Sequence, residues 1–416
     1  MKLKDFLELN SRERSQLAER LVAKGYTGDL GDMAELGKKH AQLMVELDQA
    51  RAEHNRLAEE RDIETGKVAA LKVADLETKF KEVHDQLIPL WGAVPNLPDK
   101  DVPRGGEENN KIIGQSHLQP PEINNPRDHI ELGEALDIID IERGVKTSGS
   151  RFYFLKNEAT ELEFALIRWL FKILKKKGFE LLVTPQIVNE EVMEHAGYVS
   201  KSDRHAAEVY CIDDSDNPDK HQYLIGTSEQ SVLGYHMDEI IEVPKRYAAF
   251  STCFRKEAGS YGQDVKGIIR THQFDKVELF SFVAPQDSVK EFKKLVAVQE
   301  FVLKKLEIPY QKVLIAAEDL GMPAAKKVDL ESWIPSQNRY RETHSCSNCT
   351  DWQAIRAGIR YRNTTGETDF VHTLNGTAVA IGRILVAILE NHQQPDGSIK
   401  IPKVLHPYLG FKEIRK

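Results

Sequence analysis

The amino-acid sequence predicts an α+β protein: an N-terminal antiparallel two-helix coiled-coil arm, followed by a domain with a central antiparallel sheet flanked by helices. Apolar residues recur at alternating spacings of three and four between Met33 and Leu90, which is the heptad pattern of packed helices. Further along, strand-like segments follow one another directly, which favours an antiparallel or mixed sheet over a doubly wound parallel one. The sequence lacks the glycine-rich fingerprints of P-loop and Rossmann domains.

The arm, about residues 30–92, carries two apolar seams. The first seam comprises Met33, Leu36, His40, Leu43, Leu47, Ala50, His54 and Leu57, and the second comprises Ala69, Val73, Leu76, Phe80, Val83, Leu87 and Leu90. Between them lies Thr65-Gly66, so we expect the first helix to reach Glu64 and the chain to turn there. A structural coiled coil, a dimerisation element, a spacer and a reach toward a large partner are all compatible with this pattern.

A linker separates the arm from the rest of the chain. The segment WGAVPNLPDKDVPRGGEENN is rich in proline, glycine and asparagine, a composition typical of connecting segments. With 416 residues, the chain is too long for a single small core. We therefore predict one domain at residues 1–103 and a second at residues 104–416.

The second domain begins with recognisable helix and strand signals. An amphipathic helix is expected from about Ala159 to Lys177, with Gly178 at the position that favours helix termination. The strand FELLVTP follows and ends at Pro185. Two further segments, KRYAAFSTCF and KVELFSFV, are typical of strands, and a polar loop with three glycines joins them.

Composition narrows the class of protein. The net charge of -8 provides no general attraction for nucleic acid, although a local basic patch would suffice for one. The N-terminal residues lack the apolar core of a signal peptide, and no run of apolar residues is long enough to predict a transmembrane helix. Four scattered cysteines are too few for a disulfide framework, which predicts a reducing, cytoplasmic location.

One stretch is rich in charged and aromatic residues that could bind a ligand: FRKEAGSYGQDVKGIIRTHQFDKVELF. Arg255 and Arg270 flank its loop, and a guanidinium group suits phosphate and carboxylate. Phe274 offers a face for a flat ring, and Glu278 offers a carboxylate near the end of a strand. A third arginine, Arg383, begins a later helix. Singly, each has an ordinary alternative, such as a surface ion pair or a core aromatic; together they predict a nucleoside triphosphate site on a sheet.

The same stretch resembles motif 2 of class II aminoacyl-tRNA synthetases in its seryl form. LNGTAVAIGRILVAILEN resembles motif 3, and the helix and strand that end at Pro185 are similar to motif 1. YRETHSCSNCTDWQAIR, GTSEQ and VPNLPDKDVPRG resemble further segments of the seryl-tRNA synthetase family. The resemblance covers essentially the whole chain, and it implies a tRNA-binding N-terminal domain and an aminoacylation domain.

The resemblance implies a set of ATP-binding residues, namely Arg255, Glu257, Arg270, Phe274, Glu342, Ser345 and Arg383. Among them, it assigns catalysis to Arg255, Glu257 and Arg383. Arg255 would hold the α-phosphate and the amino-acid carboxylate, and its charge would stabilise the transition state of adenylate formation. Phe274 would stack under adenine, and Arg383 would bind the γ-phosphate.

The resemblance also implies a set of serine-binding residues, namely Thr227, Glu229, Arg255, Glu278, Asn375 and Thr377. Thr227 and Glu229 would receive the amino group of serine, whereas Glu278 and Thr377 would meet its hydroxyl, with Asn375 nearby. A site built to hydrogen-bond a hydroxyl rejects alanine, because its polar groups would be left unpaired.

Glu342 and Ser345 match the family positions that hold a divalent cation. A carboxylate and a hydroxyl suit Mg²⁺, a hard ion that prefers oxygen. The neighbouring Cys346-x-x-Cys349 is half of a zinc pattern, but the chain has no second such pair, so the pattern is weak.

The implied reaction joins ATP and L-serine into seryl-adenylate and then transfers serine to the 3′ end of tRNA(Ser); charging of tRNA(Sec) is left open. The candidate tRNA contacts are basic residues of the motif 2 loop and of the arm, namely Lys266, Arg56, Arg61, Lys67 and Lys72. A homodimer built on motif 1 is expected.

Two alternatives remain open beside this interpretation. One is a synthetase-like ligase that loads an amino acid onto a carrier protein, although such relatives typically lack an arm. The other is a non-catalytic RNA-binding paralogue, which would be expected to have lost its ATP site. One departure from the family pattern is Ile355, which stands where an arginine is usual after Gln353-Ala354.

Overall fold

The computed structural model describes residues 3–199, 208–213, 216–217, 221–258 and 267–416. Two compact units divide between Pro98 and Asp99. The predicted α+β class is confirmed, because the first unit is helical and the second contains a large sheet with helices. Within the described residues, no helix is both long and apolar enough to cross a membrane.

The first unit is built from helices, namely α1 (Leu3–Glu8), α2 (Ser11–Val22), α3 (Leu30–Glu59) and α4 (Ile63–Gly92). Helices α3 and α4 form the predicted arm. They run antiparallel, since His40 Nε2 lies 3.2 Å from His84 Nδ1 while Arg51 pairs with Glu77 at 2.7 Å. The seam is largely apolar, as the heptads predict, and its buried members include Leu43, Leu47, Ala50, Leu76 and Val83.

The predicted turn at Thr65-Gly66 is wrong. The chain reverses three to five residues earlier, where Arg61 adopts a left-handed backbone with φ of 59°. Asp62 then caps α4: its side chain accepts from the Thr65 backbone N–H at 3.2 Å and from the Thr65 hydroxyl at 2.7 Å. Thr65 and Gly66 therefore lie inside the first turn of α4, because the aspartate cap provides a stronger start signal than the glycine provides a stop.

The second unit alternates short and long elements. Its helices are α5 (His129–Ala135), α6 (Ile141–Ser148), α7 (Asn157–Lys176), α8 (Glu190–Ala196), α9 (Ser228–Gly234), α10 (Ser288–Lys305), α11 (Trp352–Arg356) and α12 (Ile381–Asn391). Its strands are β1 (Lys111–Gln115), β2 (Ile139–Asp140), β3 (Phe154–Leu155), β4 (Glu180–Val183), β5 (Ile187–Asn189), β6 (Tyr210–Asp213), β7 (His221–Leu224), β8 (Lys245–Phe254), β9 (Gln273–Val283), β10 (Tyr310–Leu314), β11 (Lys326–Ile334), β12 (Arg339–Thr350), β13 (Arg360–Arg362), β14 (Thr368–Phe370), β15 (His372–Ala380), β16 (Ile399–Lys400) and β17 (Glu413–Ile414). The predicted helix that ends before Gly178 is α7, and Gly178 has a φ of 85°.

Eight of these strands form one sheet in the order β1-β10-β11-β12-β15-β9-β8-β4. All neighbours pair antiparallel except β4 and β8, which are parallel. The register places Glu278 on β9 directly opposite Thr377 on β15 and Ala249 on β8. Two segments that lie far apart in the sequence are thus brought side by side in the middle of the sheet.

Alternation along β9 separates a core face from a site face. Val277 and Leu279 belong to the main hydrophobic core, where they meet apolar residues of α7, α10 and α12. The intervening residues point the opposite way because successive strand side chains alternate. Phe274, Lys276 and Glu278 therefore share the second face of the sheet, which is the face that holds the candidate site.

Candidate active site

A cavity of about 580 Å³ opens on that second face of the sheet. Strands β9, β12 and β15 supply its floor, and the segment before α9, the residues after β8 and the start of α12 supply its walls. The structure brings together all the predicted ATP- and serine-binding residues here, namely Thr227, Glu229, Arg255, Glu257, Arg270, Phe274, Glu278, Glu342, Ser345, Asn375, Thr377 and Arg383.

Arg255 lies at the end of β8 beside the predicted aromatic platform. Its guanidinium carbon is 5.5 Å from the centre of the Phe274 ring, and its Nε donates to the Gly226 carbonyl at 3.3 Å. The contact with Gly226 orients the guanidinium, because Nε donates to the backbone and the two terminal nitrogens are left for other acceptors. A flat aromatic ring and a cation thus stand side by side at the cavity wall.

Arg270 and Glu257 form an ion pair across the mouth of the motif 2 loop. Glu257 is buried and has a left-handed backbone with φ of 50°, which is uncommon for a residue other than glycine. Its carbonyl accepts from Arg151 Nη1 at 2.9 Å. The loop therefore leaves the sheet from a well-anchored corner, whereas Lys266 lies outside the described residues.

Arg383 and Glu342 are paired at the other end of the cavity. Arg383 Nη1 lies 3.1 Å from Glu342 Oε1 and donates to the Glu342 carbonyl at 3.0 Å. Burial favours a raised pKa for the Glu342 carboxyl, but the charges of Arg383, Lys327 and Arg255 outweigh it, so its pKa lies below the ordinary value. Glu342 is therefore ionised at neutral pH and suited to a cation.

Asp329, which the sequence did not single out, stands behind this carboxylate. It lies on β11 directly opposite Ser345 of β12 and is buried. Burial and the neighbouring Glu342 charge raise the pKa of Asp329 to about 7. Among the described residues, its Oδ1 atom has no hydrogen-bond partner. The residues present fit a hard divalent cation, because the charge of Glu342 acts on Asp329 and Asp329 lies opposite Ser345, so two carboxylates and a hydroxyl are neighbours.

Glu229 marks the opposite end of the cavity, on the first turn of α9. Its Oε1 accepts from the Gln353 side-chain nitrogen at 2.7 Å, and its Oε2 accepts from the Tyr198 hydroxyl at 3.3 Å. Burial raises the pKa of this carboxyl to about 7, and the Glu278 charge acts in the same direction. Gln353 is held in turn by the Thr373 hydroxyl, which donates to its amide oxygen at 2.7 Å.

Glu278 lies next to this group, at the centre of the sheet. Its Oε2 atom is 2.6 Å from Lys276 Nζ and accepts from the Thr377 hydroxyl at 3.2 Å. Lys276 also donates to Thr227 Oγ1 at 2.6 Å. The two predicted hydroxyl-binding residues, Glu278 and Thr377, are therefore in direct contact, and a lysine that the sequence analysis passed over joins them to the amine-binding pair.

Asn375 and the two cysteines of the zinc alternative lie on neighbouring strands. Cys346 and Cys349 are both buried, Cys346 within the main hydrophobic core and Cys349 at the cavity wall. Asn375 Nδ2 lies 3.7 Å from Cys349 Sγ. Because the two thiols belong to different environments, their arrangement does not favour a shared zinc ion.

The remaining candidates belong to the arm and are exposed. Arg56 pairs with Glu53 at 2.7 Å and with Glu60 at 2.9 Å, and Lys67 pairs with Glu64 at 3.2 Å. Arg61 occupies the turn itself, and Lys72 follows on α4. Exposed pairs of this kind are weak and readily exchange partners, so these side chains remain available to a polyanion.

Four residues of the site were missed by sequence reasoning: Lys276, Gln353, Tyr198 and Asp329. Lys276 had a usable signal, since it stands between Phe274 and Glu278 at the two-residue period of one strand face. Gln353 and Tyr198 had none, because they reach Glu229 from α11 and from the segment after α8 only through the fold.

The chemistry of the cavity is divided between its ends. One end offers arginines, an aromatic face and an ionised carboxylate, which suit a nucleoside triphosphate. The other end offers two buried carboxylates, a lysine and a hydroxyl, which suit a small molecule with both an ammonium and a polar side chain. Arg255 interacts electrostatically with Tyr198, which contacts Glu229, and with Glu342, so its charge acts toward both ends.

Comparison with known proteins identifies relatives over most of the chain. Residues 210–392 match the family described as tRNA synthetase class II core domain (G, H, P, S and T). The chain is 41% identical over 401 residues to a serine–tRNA ligase of Dictyoglomus turgidum, with 93% of each protein covered.

Solved structures give the same result. A crystal structure of seryl-tRNA synthetase from Pyrococcus horikoshii complexed with ATP matches with a TM-score of 0.87 and 35% identity, covering 100% of this chain and 99% of that chain. A cytoplasmic serine–tRNA ligase from Naegleria fowleri in complex with AMP matches with a TM-score of 0.83 and 29% identity, covering 100% of this chain and 98% of that chain.

Proposed function

The chain belongs to the seryl-tRNA synthetase family, and from that premise we propose that it activates L-serine with ATP and transfers it to tRNA(Ser). The first step forms seryl-adenylate and pyrophosphate, and the second esterifies the 3′ end of the tRNA. The observation that carries the proposal is the position of Arg255, which lies in one cavity with Phe274 on the nucleotide side and Glu278 on the amino-acid side.

The nucleotide end supplies binding and charge. Phe274 stacks against adenine. Arg383 binds the γ-phosphate through Nη2, since its Nε donates to the Ile269 carbonyl at 3.3 Å and its Nη1 donates to the Glu342 carbonyl at 3.0 Å. Arg255 holds the α-phosphate, where its charge stabilises the negative charge that grows as the serine carboxylate attacks. Glu257 and Arg270 fix the corner from which the motif 2 loop meets the nucleotide and the tRNA end.

Glu342 and Ser345 hold Mg²⁺ in this proposal, and the ionised state of Glu342 supports that assignment. A divalent cation supplies neutralisation of phosphate charge when it is bound. Arg255 and Arg383 orient the triphosphate, and Glu342 lies at the cavity wall beside it. The α-phosphate is thereby held in line with the attacking carboxylate of serine.

The amino-acid end selects serine. Glu229 accepts from the ammonium of serine, and Glu278 with Thr377 meets its hydroxyl. Asn375 lines the same wall, where it narrows the space for a larger side chain. Alanine is rejected because it leaves Glu278 and Thr377 without their partner in a buried site.

Transfer requires tRNA, which we assign to residues 1–103 and to the motif 2 loop with Lys266. The basic residues Arg56, Arg61, Lys67 and Lys72 supply phosphate contacts from the arm, and an arm of this kind recognises RNA by shape rather than by base sequence. Residues 104–416 carry out aminoacylation. We extend the proposal to tRNA(Ser) with a long variable arm and leave tRNA(Sec) as a further substrate to be assayed.

We also propose a homodimer in the cytoplasm, where translation consumes the charged tRNA. Exposed apolar side chains on the motif 1 elements support the dimer: Phe164 of α7 is 65% exposed and Val183 of β4 is 73% exposed. Large apolar residues at such exposure on one helix and an adjacent edge strand are typical of a subunit interface.

The test of this function is pyrophosphate exchange into ATP, measured with serine, alanine, glycine and threonine in turn. We expect exchange with serine at a far higher kcat/KM than with the other three. No exchange with any of the four would contradict the enzyme and support the non-catalytic paralogue. Subsequent charging of a tRNA(Ser) transcript separates the synthetase from a carrier-protein ligase, which would exchange but not charge.

A further inference from the structure

We propose that Lys276 is a positioning residue for serine selectivity: it determines which carboxylate oxygen of Glu278 accepts a hydrogen bond from the substrate hydroxyl. The inference rests on the proposed function, because it concerns the serine end of the same cavity. It adds a residue that neither touches the reacting atoms nor belongs to the predicted binding set.

The placement of Lys276 is unusual for a lysine. It lies in the middle of the sheet on β9 and is only 5% exposed, yet it lines the cavity. A buried ammonium needs partners for its protons, and it can only donate hydrogen bonds. It has two at 2.6 Å, namely Glu278 Oε2 and Thr227 Oγ1. Both partners must therefore act as acceptors toward it.

The contact with Lys276 determines which carboxylate oxygen of Glu278 is occupied. Its Oε2 atom accepts from Lys276 and also from the Thr377 hydroxyl at 3.2 Å. A carboxylate oxygen has two lone-pair sites, so Oε2 is fully used. A further donor, such as the hydroxyl of serine, has to bind Oε1. Lys276 and Thr377 together thus fix the rotation of the carboxylate that contacts the substrate hydroxyl.

The same contact constrains Thr227. Its Oγ1 accepts from Lys276 Nζ and from the Glu229 backbone N–H at 3.3 Å, which uses both lone pairs of the hydroxyl. The Thr227 hydroxyl is then left as a donor and cannot accept from a substrate ammonium. We infer that Glu229 alone of this pair receives the amino group through its side chain, and that Thr227 anchors Lys276.

Charge supports this arrangement. Burial raises the pKa of the Glu229 carboxyl, the Glu278 charge raises it further, and Lys276 lowers it. Two buried carboxylates in one cavity repel each other, and the charge of Lys276 offsets that repulsion. A purely structural ion pair would stabilise the fold equally well but would have no reason to affect the choice between serine and alanine.

The experiment compares the ratio of kcat/KM for serine to kcat/KM for alanine in pyrophosphate exchange. The ratio isolates the hydroxyl contact, because the ammonium and carboxylate are common to both substrates. For Lys276→Met we expect the ratio to fall at least about tenfold while KM for ATP stays within about twofold of wild type. An unchanged ratio would overturn the proposal, provided that the wild-type protein activates serine.

The matched control is Arg246→Met, which removes the cation from another partly buried pair of the same sheet. Arg246 Nε and Nη2 bind the two oxygens of Glu291 at 2.7 Å each, outside the cavity. Its loss should lower stability without changing the selectivity ratio. Equal falls in the ratio for both variants would show a general structural effect and contradict the positioning role.

Lys276→Met leaves Glu278 buried without its cation, which is strongly destabilising. A second comparison therefore uses Glu278→Gln and the double variant Lys276→Met/Glu278→Gln. If Lys276 acts through Glu278, the selectivity ratio of the double variant should equal that of Glu278→Gln within about twofold. A further tenfold loss in the double variant would show that Lys276 reads the hydroxyl independently and would overturn the inference. Absence of serine exchange in the wild type would instead overturn the proposed function itself.

Discussion

The Gln353 side-chain nitrogen lies 2.7 Å from Glu229 Oε1, at the buried end of the active-site cavity. The amide is fully oriented, since its oxygen accepts from the Thr373 hydroxyl at 2.7 Å. The Glu229 carboxylate is thereby held by a neutral donor rather than by a cation. Its negative charge stays available for the ammonium group of the amino acid.

Replacement of Gln353 by leucine should weaken serine binding. The substitution removes the donor to Glu229 and leaves the Thr373 hydroxyl without its acceptor, so we expect KM for serine to rise about tenfold. KM for ATP should change little, because the nucleotide end does not contact Gln353. Steady-state exchange kinetics measure both constants, and a Gln353→Leu protein with wild-type KM for serine would contradict the role of the amide.

The pH dependence of serine activation should report the Glu229 carboxyl. Burial raises its pKa to about 7, and the ionised form binds an ammonium far more strongly than the neutral acid, because only the ionised form carries the opposite charge. As pH falls through 7 the protonated fraction grows, so kcat/KM for serine should fall between about pH 8 and pH 6. Glu229→Gln should lose this titration as well as most activity. A flat wild-type profile over that range would refute the assignment.

Glu278→Ala should collapse the discrimination between serine and alanine. The variant removes the acceptor for the substrate hydroxyl, so serine loses a hydrogen bond in a buried site while alanine loses nothing. We expect the ratio of kcat/KM values to fall by at least about a hundredfold. Competition between the two amino acids in one exchange assay measures it directly, and retained discrimination would rule out the hydroxyl contact.

Glu342→Gln should weaken divalent cation binding. The carboxylate is held ionised by nearby Arg383, Lys327 and Arg255, and the amide carries no charge for the metal. We expect the Mg²⁺ concentration for half-maximal exchange to rise about tenfold, and the affinity for Mn²⁺ with ATP, measured by electron paramagnetic resonance, to fall similarly. The exposed Glu367, replaced by glutamine, is the charge-matched control. Equal metal affinity in the two variants would contradict a ligand role.

The proposed dimer depends on the exposed apolar residues of α7 and β4. Val183→Glu places a charge where Val183 is 73% exposed, and it should convert a dimer of 47.2 kDa chains into monomers. Val289→Glu is the control, since Val289 of α10 is 63% exposed. Light scattering after gel filtration gives both masses, and a Val183→Glu dimer would exclude this interface.

Much of the fold was accessible from local pattern. Heptads predict the arm because seam packing repeats over many turns, and the glycine after α7 ends that helix as expected. Thr65-Gly66 predicts a break in the arm, whereas the capping aspartate Asp62 starts α4 before both residues and includes them in the helix. Capping depends on one side-chain contact, which apolar periodicity does not register.

Residues of the site could be predicted from the sequence only where reactive side chains lie close together along the chain or match a family motif. Lys276 shares a strand face with Phe274 and Glu278 and was within reach of the same reasoning. Asp329 was not, because it meets Ser345 through the register of β11 and β12. Register is set by tertiary packing and by a bulge next to Leu330, and neither is written in a short stretch of residues.

The most direct test of the proposed function is aminoacylation of a tRNA(Ser) transcript with labelled serine by the wild-type protein. We predict ATP-dependent attachment of serine to the 3′-terminal ribose, with little attachment when alanine or threonine replaces serine. A control transcript that lacks the terminal adenosine should accept nothing. Serine-dependent pyrophosphate exchange without any charging of tRNA(Ser) would contradict the account, since the site would then activate serine for a different acceptor.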